Sequence, residues 1–210
     1  MNSEKLEHVE VESVVESVRR GDDRALDKLF AAHHVYLRHV VGIRMDDALR
    51  IRVDPSDIVQ DAHVEALRRV SDYVNDPKLP VRLWLRQIAI DRIGMAYRKH
   101  IGAEKRSVRR EFTLPEQSSM GIAEQLVAGL SSPSMHVARH EVAAKVREAV
   151  AKLDDLDREI ILLQAFEGLN STESAQVLGI ESATARKRFG RALLRLRSLL
   201  AESGLGESQP

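Results

Sequence analysis

The stretch GIESATARKRFGRALLRLR, residues 179–197, holds six basic residues in nineteen positions and decides how the C-terminal half folds. It follows STESAQVL, which Asn170 or Ser171 can cap at its N-terminus, and Gly179 interrupts the helical pattern between the two segments. A short helix, a turn that contains glycine and a longer basic helix predict a helix-turn-helix. On this pattern alone, an ordinary helical hairpin fits equally well.

The two faces of the basic helix favour the helix-turn-helix. At about 100° per residue, one face is an apolar stripe made of Phe189, Ala192, Leu193, Leu196 and Leu200. The opposite face carries Thr184, Lys187 and Arg191, and its two edges carry Arg188 with Arg195 and Arg186 with Arg197. A solvated face would intersperse glutamate with lysine, yet no acidic residue stands between Glu181 and Glu202. The pattern therefore predicts that the central trio reaches base edges in a major groove while the flanking arginines hold phosphates.

Positive charge is concentrated in two places although the formal net charge of the chain is zero. Residues 81–112 hold nine Lys or Arg against three acidic residues, and residues 181–200 hold six against one. The rest of the chain is acidic. Two concentrated basic patches favour a polyanionic partner, whereas scattered charge would only favour solubility.

The composition indicates a helical protein with a core of its own. The 210 residues are 43% hydrophobic, 30% charged and 4% aromatic, which suits one large or two small domains and favours helices over sheets. The absence of cysteine excludes disulfides and thiolate chemistry. No apolar run approaches the roughly 18 residues that span a bilayer, and the polar N-terminus does not resemble a signal peptide. We therefore predict a cytoplasmic protein without membrane insertion.

Helical spacing continues through most of the chain. Apolar residues recur every three or four positions at Ala25, Leu29, Ala32, Tyr36, Val40 and Ile43. VDPSDIVQDAHVEALRRV opens like a helix, with Asp54 as cap and Pro55 in the first turn. SDYVNDPKLP reads as a loop and VRLWLRQIAIDRIGMAYRKH as the next helix.

The predicted fold class is all-α, with two small helical domains joined by a linker. The domain limits are 1–102 for the first domain, 103–133 for the breaker-rich linker, 134–202 for the helix-turn-helix domain and 203–210 for the tail.

Three segments together resemble a known family. DPSDIVQDAHVEALRRV resembles region two of bacterial RNA polymerase sigma factors of the extracytoplasmic-function (ECF) type, and WLRQIA, from Trp84, resembles the segment that follows it. LDDLDREIILLQAFEGLNSTESAQVLGIESATARKRFGRALLRL is similar to region four, and the motifs stand in family order. The resemblance implies that the chain binds RNA polymerase core, through the β′ clamp helices and the β flap, and directs promoter recognition and transcription initiation. The first domain would read and open the −10 element, and the second would dock on the −35 element.

The helix after Asp54 carries the predicted core-binding residues. Asp57, Asp61 and Glu65 follow each other at intervals of four, which predicts one acidic face. Without the family, a solvated acidic stripe explains this face well. The resemblance implies that it packs on the arginine-bearing β′ clamp helices, with Gln60 and Val64 at the border.

Residues of the first domain are the candidates for contact with the −10 element. Tyr73 and Asn75, in the predicted loop, would help to hold a base turned out of the stack, although a plain polar turn fits either residue as well. Trp84 reads as core. The basic residues that would contact promoter DNA are Arg82, Arg86, Arg92, Arg98 and Lys99.

Nothing in the sequence predicts a cofactor, a metal site or catalysis by this chain. No HExxH and no Gly-rich phosphate loop is present, and the histidines lack ligand spacing. The alternative function is a stand-alone helix-turn-helix transcription regulator that never binds polymerase, for which the acidic DIVQD helix has no use. By family analogy, an anti-sigma factor is a possible further partner.

Overall fold

The computed structural model describes residues 16–17, 20, 23–100, 122, 126 and 136–205, and these residues contain helices and no strand. The α-helices are α1 (Asp23–Arg44), α2 (Asp47–Arg50), α3 (Pro55–Asn75), α4 (Val81–His100), α5 (His136–Ala151), α6 (Asp155–Ile161), α7 (Ser171–Leu178) and α8 (Ser182–Glu202). A π-helical turn (Leu162–Phe166) directly follows α6. The all-α prediction is confirmed. The predicted linker, apart from residues 122 and 126, lies outside the described residues.

The chain divides into two compact units. The first consists of Met1–Gly42 and Leu49–Glu104, and the second consists of Ile43–Ala48 and Lys105–Pro210. The short segment 43–48 thus belongs to the second unit, although it lies early in the sequence. The domain limits drawn from the sequence stay a prediction.

In the first unit, α3 begins where the sequence predicted. The side chain of Asp54 accepts a hydrogen bond from the Ser56 backbone N–H at 2.7 Å, and Pro55 is the first helical residue. This hydrogen bond lowers the pKa of the Asp54 carboxyl. Val59, Ala62 and Ala66 of this helix are all buried.

The helix α3 continues into the segment that was predicted as a loop, and that prediction is wrong for its first half. The helix ends at Asn75 because Tyr73 and Val74 are buried in a cluster with Leu26 and Leu29 of α1. Packing therefore extends the helix by more than a turn beyond Val70, and the connection to α4 is short. Helix α4 has the predicted limits.

In the second unit, α8 supplies one side of the core. Its residues Ala185, Ala192 and Leu196 are buried in a cluster with residues of α5, α6 and the π-helical turn, among them Val146, Val150, Ile160, Ile161 and Leu162. Leu193, which the sequence places in the apolar stripe of this helix, is 39% exposed instead. The packing fixes the rotation of α8 about its axis and hence which side chains it exposes.

The segment 43–48 contributes a buried ion-pair cluster to the second unit. The guanidinium of Arg44 lies 2.6 Å from a carboxylate oxygen of Glu159 and 2.6 Å from one of Glu167, and its side chain is fully buried. Burial by itself would lower the pKa of Arg44, but the two carboxylates raise it above its ordinary value. Arg44 is therefore a charged core residue with both acidic partners in place.

Candidate functional site

The turn between α7 and α8 is built by local hydrogen bonds. The Asn170 side chain accepts from the backbone N–H groups of Thr172 and Glu173, both at 2.9 Å. In return, the Glu173 carboxylate accepts from the Asn170 backbone N–H at 2.9 Å, which completes a capping box. Gly179 then ends α7 in the left-handed conformation, with a φ of 64°. These contacts set the start and the end of the short first helix of the motif.

The exposed side of α8 carries the predicted reading residues. Thr184, Lys187 and Arg191, which we call the reading face, are all exposed. Arg186 is exposed as well. The Nε group of Arg191 donates to the backbone carbonyl of Lys187 at 3.4 Å, one turn earlier. The structure thus places these side chains together on the side of the helix opposite the core.

The two edge arginines, Arg188 and Arg195, pair with carboxylates that the sequence did not point to. Nη1 of Arg188 lies 3.2 Å from Asp154 Oδ1 and 2.8 Å from Asp157 Oδ1. Nη1 of Arg195 lies 3.2 Å from Asp154 Oδ2 and also contacts Asp157 Oδ2. We call Asp154 and Asp157 the acidic pair. Both lie at the N-terminus of α6. They are more than 30 positions from the arginines in the sequence, so no local helical pattern predicts the pairing.

The acidic pair, the edge arginines and Arg191 line a cavity of about 90 Å³. Small-molecule pockets are several times larger. The cavity is therefore a gap within an ion-pair cluster, and it is too small for a drug-sized ligand.

Helix α3 exposes a surface with two carboxylates and an apolar side chain. Asp57, Gln60 and Asp61 are exposed, and Val64 is 48% exposed. These four of the five predicted core-binding residues therefore share an accessible side of the helix.

The prediction that Glu65 belongs to this surface is not supported. Its side chain is 13% exposed and lies 2.6 Å from Arg69 Nε and 3.6 Å from Arg92 Nη1 of α4. The hydrogen bond from Arg69 lowers the pKa of the Glu65 carboxyl, and the nearby charges of Arg69, Arg92 and Arg68 lower it further. At about 100° per residue, a position eight residues after Asp57 has rotated toward α4, so this carboxylate holds two helices together.

Two residues predicted to meet the −10 element are buried, which corrects the prediction. The Tyr73 ring stacks on Trp84 with centroids 4.3 Å apart, and its hydroxyl donates to the Leu79 carbonyl at 3.0 Å. Burial raises the pKa of Tyr73. Arg86 is only 5% exposed. Neither side chain presents a surface to a base or a phosphate in this structure.

The remaining predicted −10 residues lie at or near the surface of the first unit. Asn75, Arg98 and Lys99 are exposed. The guanidinium of Arg82 lies over the ring of Tyr36, 4.1 Å from its centroid. Arg92 is 16% exposed in its side chain and faces Glu65. The accessible positive charge of this group is thus at the C-terminal end of α4.

Among the residues that the structure describes, no group of three or more His, Cys, Asp or Glu side chains is placed to hold a metal ion. Within the same residues, no helix is both long and apolar enough to cross a membrane.

The chain is similar in sequence to known sigma factors. The family model "Sigma-70, region 4" matches residues 143–196, from within α5 to near the end of α8. The chain is 31% identical over 185 residues to the RNA polymerase sigma factor CnrH of Cupriavidus metallidurans, with 86% of this chain and 88% of the relative covered. It is 25% identical over 186 residues to the ECF RNA polymerase sigma factor SigM of Mycobacterium tuberculosis, with 89% and 82% covered.

A solved structure is also similar over nearly the whole chain. It is that of CnrH in complex with the cytosolic domain of CnrY, with a TM-score of 0.54 and 25% sequence identity. The match covers 92% of this chain and 98% of the solved chain.

A helix-turn-helix with an exposed basic face is typical of a DNA-binding protein. The comparisons identify the family: the chain belongs to the RNA polymerase sigma factors of the ECF type. It binds RNA polymerase core and directs promoter recognition and transcription initiation. The alternative of a stand-alone regulator has no comparable support.

Proposed function

We propose that α8 reads the −35 element of the promoter through the reading face. Thr184, Lys187 and Arg191 would enter the major groove, and Arg186, with the edge arginines, would contact phosphates. The observation that supports this assignment is the exposure of all three reading residues on the side of α8 that faces away from the core.

The first unit has two proposed roles. The surface formed by Asp57, Gln60, Asp61 and Val64 would pack on the β′ clamp helices of the polymerase. Five residues of the first unit would contact the −10 element. Arg98 and Lys99 are exposed near the C-terminal end of α4, and the other three are Arg82, Arg92 and Asn75. The second unit would also meet the β flap. The domain limits 1–102, 103–133 and 134–202 belong to this proposal.

We infer the cellular setting from the family. RNA polymerase carries out the chemistry, so the chain supplies the promoter address and assists strand opening in the cytoplasm. Since CnrH is seen in complex with the cytosolic domain of CnrY, a protein that sequesters this chain is a reasonable further partner, in the manner of an anti-sigma factor.

The reading role of α8 is tested by comparing Arg191→Ala with Arg186→Ala. In vitro transcription with core polymerase on a genomic promoter library would first supply a preferred −35 duplex, and its scrambled version would serve as unrelated DNA. Arg191→Ala should cost about 1–3 kcal/mol on the preferred duplex and much less on the scrambled one, because a good base contact discriminates by that amount.

Arg186→Ala is the matched control for a phosphate contact. It should weaken binding to both duplexes alike and reduce the slope of log affinity against log salt by about one unit. Salt-dependent binding titrations measure both variants. Equal losses for Arg191→Ala on the two duplexes would make α8 a general electrostatic anchor and contradict its proposed role as a reader.

A further inference from the structure

We propose that the acidic pair, Asp154 and Asp157, takes the place of DNA phosphates on the edge arginines and so restrains sequence-independent DNA binding by the free chain. The inference rests on the proposed function of α8 as a DNA-binding helix. It concerns residues outside the helix-turn-helix itself, in the first turn of α6.

The cluster is electrically balanced. Each edge arginine directs its Nη1 at both carboxylates, and each carboxylate meets both arginines. Two positive charges of α8 are therefore matched by two negative charges. DNA affinity from phosphate contacts depends on the number of positive charges that displace condensed counterions, and the acidic pair lowers that number.

Both carboxylates lie at the N-terminus of α6, and one of them caps the helix. Asp154 is the N-cap of α6, where its Oδ1 accepts the backbone N–H of Asp157 at 2.8 Å. The side chain of Asp157 is 2% exposed. Negative charge at a helix N-terminus is also favoured by the helix dipole. The capping hydrogen bond thus holds the Asp154 carboxylate independently of the arginines, and Asp157 adds a nearly buried carboxylate that contacts both of them.

The arginines, in contrast, are accessible to a competitor. The side chain of Arg188 is 27% exposed and that of Arg195 is 57% exposed. The pairs with Asp154 are weak because its side chain is 53% exposed, but breaking the pairs with Asp157 would leave a nearly buried carboxylate without a counter-charge. DNA phosphates then have to compete with the two carboxylates for Arg188 and Arg195. The affinity for any DNA sequence is therefore lower than it would be if these two arginines did not pair with the carboxylates.

The variants Asp154→Asn and Asp157→Asn test the proposal. Asparagine keeps the size of each side chain and remains a good N-cap at position 154, so the change is one of charge. Binding of the full chain to the scrambled duplex should tighten on the order of three- to tenfold at about 0.1 M salt, with the salt slope steeper by about 0.9 for each charge removed. Fluorescence anisotropy across a range of salt concentrations measures both quantities.

Asp155→Asn is the matched control. Asp155 lies in the same helical turn and is 65% exposed, but it pairs with Arg158 of α6. Its replacement makes the same change in net charge, and it should alter the affinity less than twofold. In a chain that also carries Arg188→Gln and Arg195→Gln, Asp157→Asn should have no effect on the salt slope.

The competing role for the acidic pair is to position the edge arginines for phosphate. In that case Asp157→Asn would weaken binding to the scrambled duplex. Weaker binding, or an affinity equal to that of the wild type, would overturn the proposal. Melting curves for each variant identify loss of folding, and Asp154→Asn carries the test alone if Asp157→Asn unfolds. A wild-type chain that binds the preferred duplex no better than the scrambled one would instead contradict the reading role of α8.

Discussion

Gly179 ends α7 in a conformation that side chains with a Cβ atom avoid. Its φ is 64° and its ψ is 34°, and no heavy atom would lie within 4 Å of an added Cβ. Gly179→Ala should therefore lower the free energy of unfolding by about 1 kcal/mol through backbone strain alone. Chemical unfolding followed by circular dichroism measures the change.

At Gly190, replacement by alanine should have the opposite effect on the free energy of unfolding. It lies inside α8, and an added Cβ would again meet no heavy atom within 4 Å. Gly190→Ala should raise the free energy of unfolding by up to about 1 kcal/mol because alanine favours the helix. If both substitutions shifted stability in the same direction, the assignment of the turn to Gly179 would be wrong.

At the scale of single residues, side-chain chemistry could be predicted better than side-chain surroundings. Tyr73 and Arg86 can both contact nucleic acid, but the structure buries both. Tyrosine and arginine have long apolar portions that pack well, so residue type alone does not decide whether they lie in the core or at a surface. In contrast, Lys187 and Arg191 stand opposite an apolar stripe, and the structure exposes both.

At the scale of elements, α7 depends on its cap. The helix has eight residues, and helices this short are marginal without help from their ends and their packing. Asn170→Ala removes the acceptor for two backbone N–H groups and should lower the free energy of unfolding by about 1 kcal/mol. The same unfolding measurement applies.

Asn170→Asp is the control for the cap. Aspartate keeps the acceptor oxygen and is as good an N-cap as asparagine, so the stability should stay close to that of the wild type. A loss as large as that of Asn170→Ala would mean that the amide group, and not the capping oxygen, matters at this position.

Element limits could be predicted where local signals marked them. Helix α3 starts after the Asp54 cap, and α7 and α8 lie on either side of Gly179, as the sequence indicated. The end of α3 was missed because no cap or proline marks it before Tyr73. Burial of Tyr73 and Val74 against Leu26 and Leu29 extends the helix there, and this packing is a property of two helices together.

At the scale of the whole molecule, the exposed surface of α3 is the proposed contact with polymerase core. Replacing both Asp57 and Asp61 with lysine reverses two charges on this surface. The affinity for core should fall by about tenfold or more at low salt, mainly through slower association, since charge complementarity steers docking. Surface plasmon resonance with immobilised core polymerase measures the rates.

The matched control reverses two charges on the other unit. Glu141 and Glu148 are exposed on α5, and their replacement with lysine should leave core association much less affected. DNA binding by the Asp57→Lys, Asp61→Lys chain should persist. An unchanged affinity of that chain for core would return the surface to a solvated acidic stripe.

The helical class, the two helices around Gly179 and the exposed side of α8 could all be predicted from local patterns in the chain. Caps, the turn glycine and the apolar period act over a few residues, so a single chain segment contains the whole signal. Which distant charges meet could not be predicted in this way. Arg188 pairs with Asp157 across 31 positions and Arg44 with Glu159 across 115. Such pairs depend on how each helix is rotated and placed against the core, and no local pattern in the sequence records that rotation.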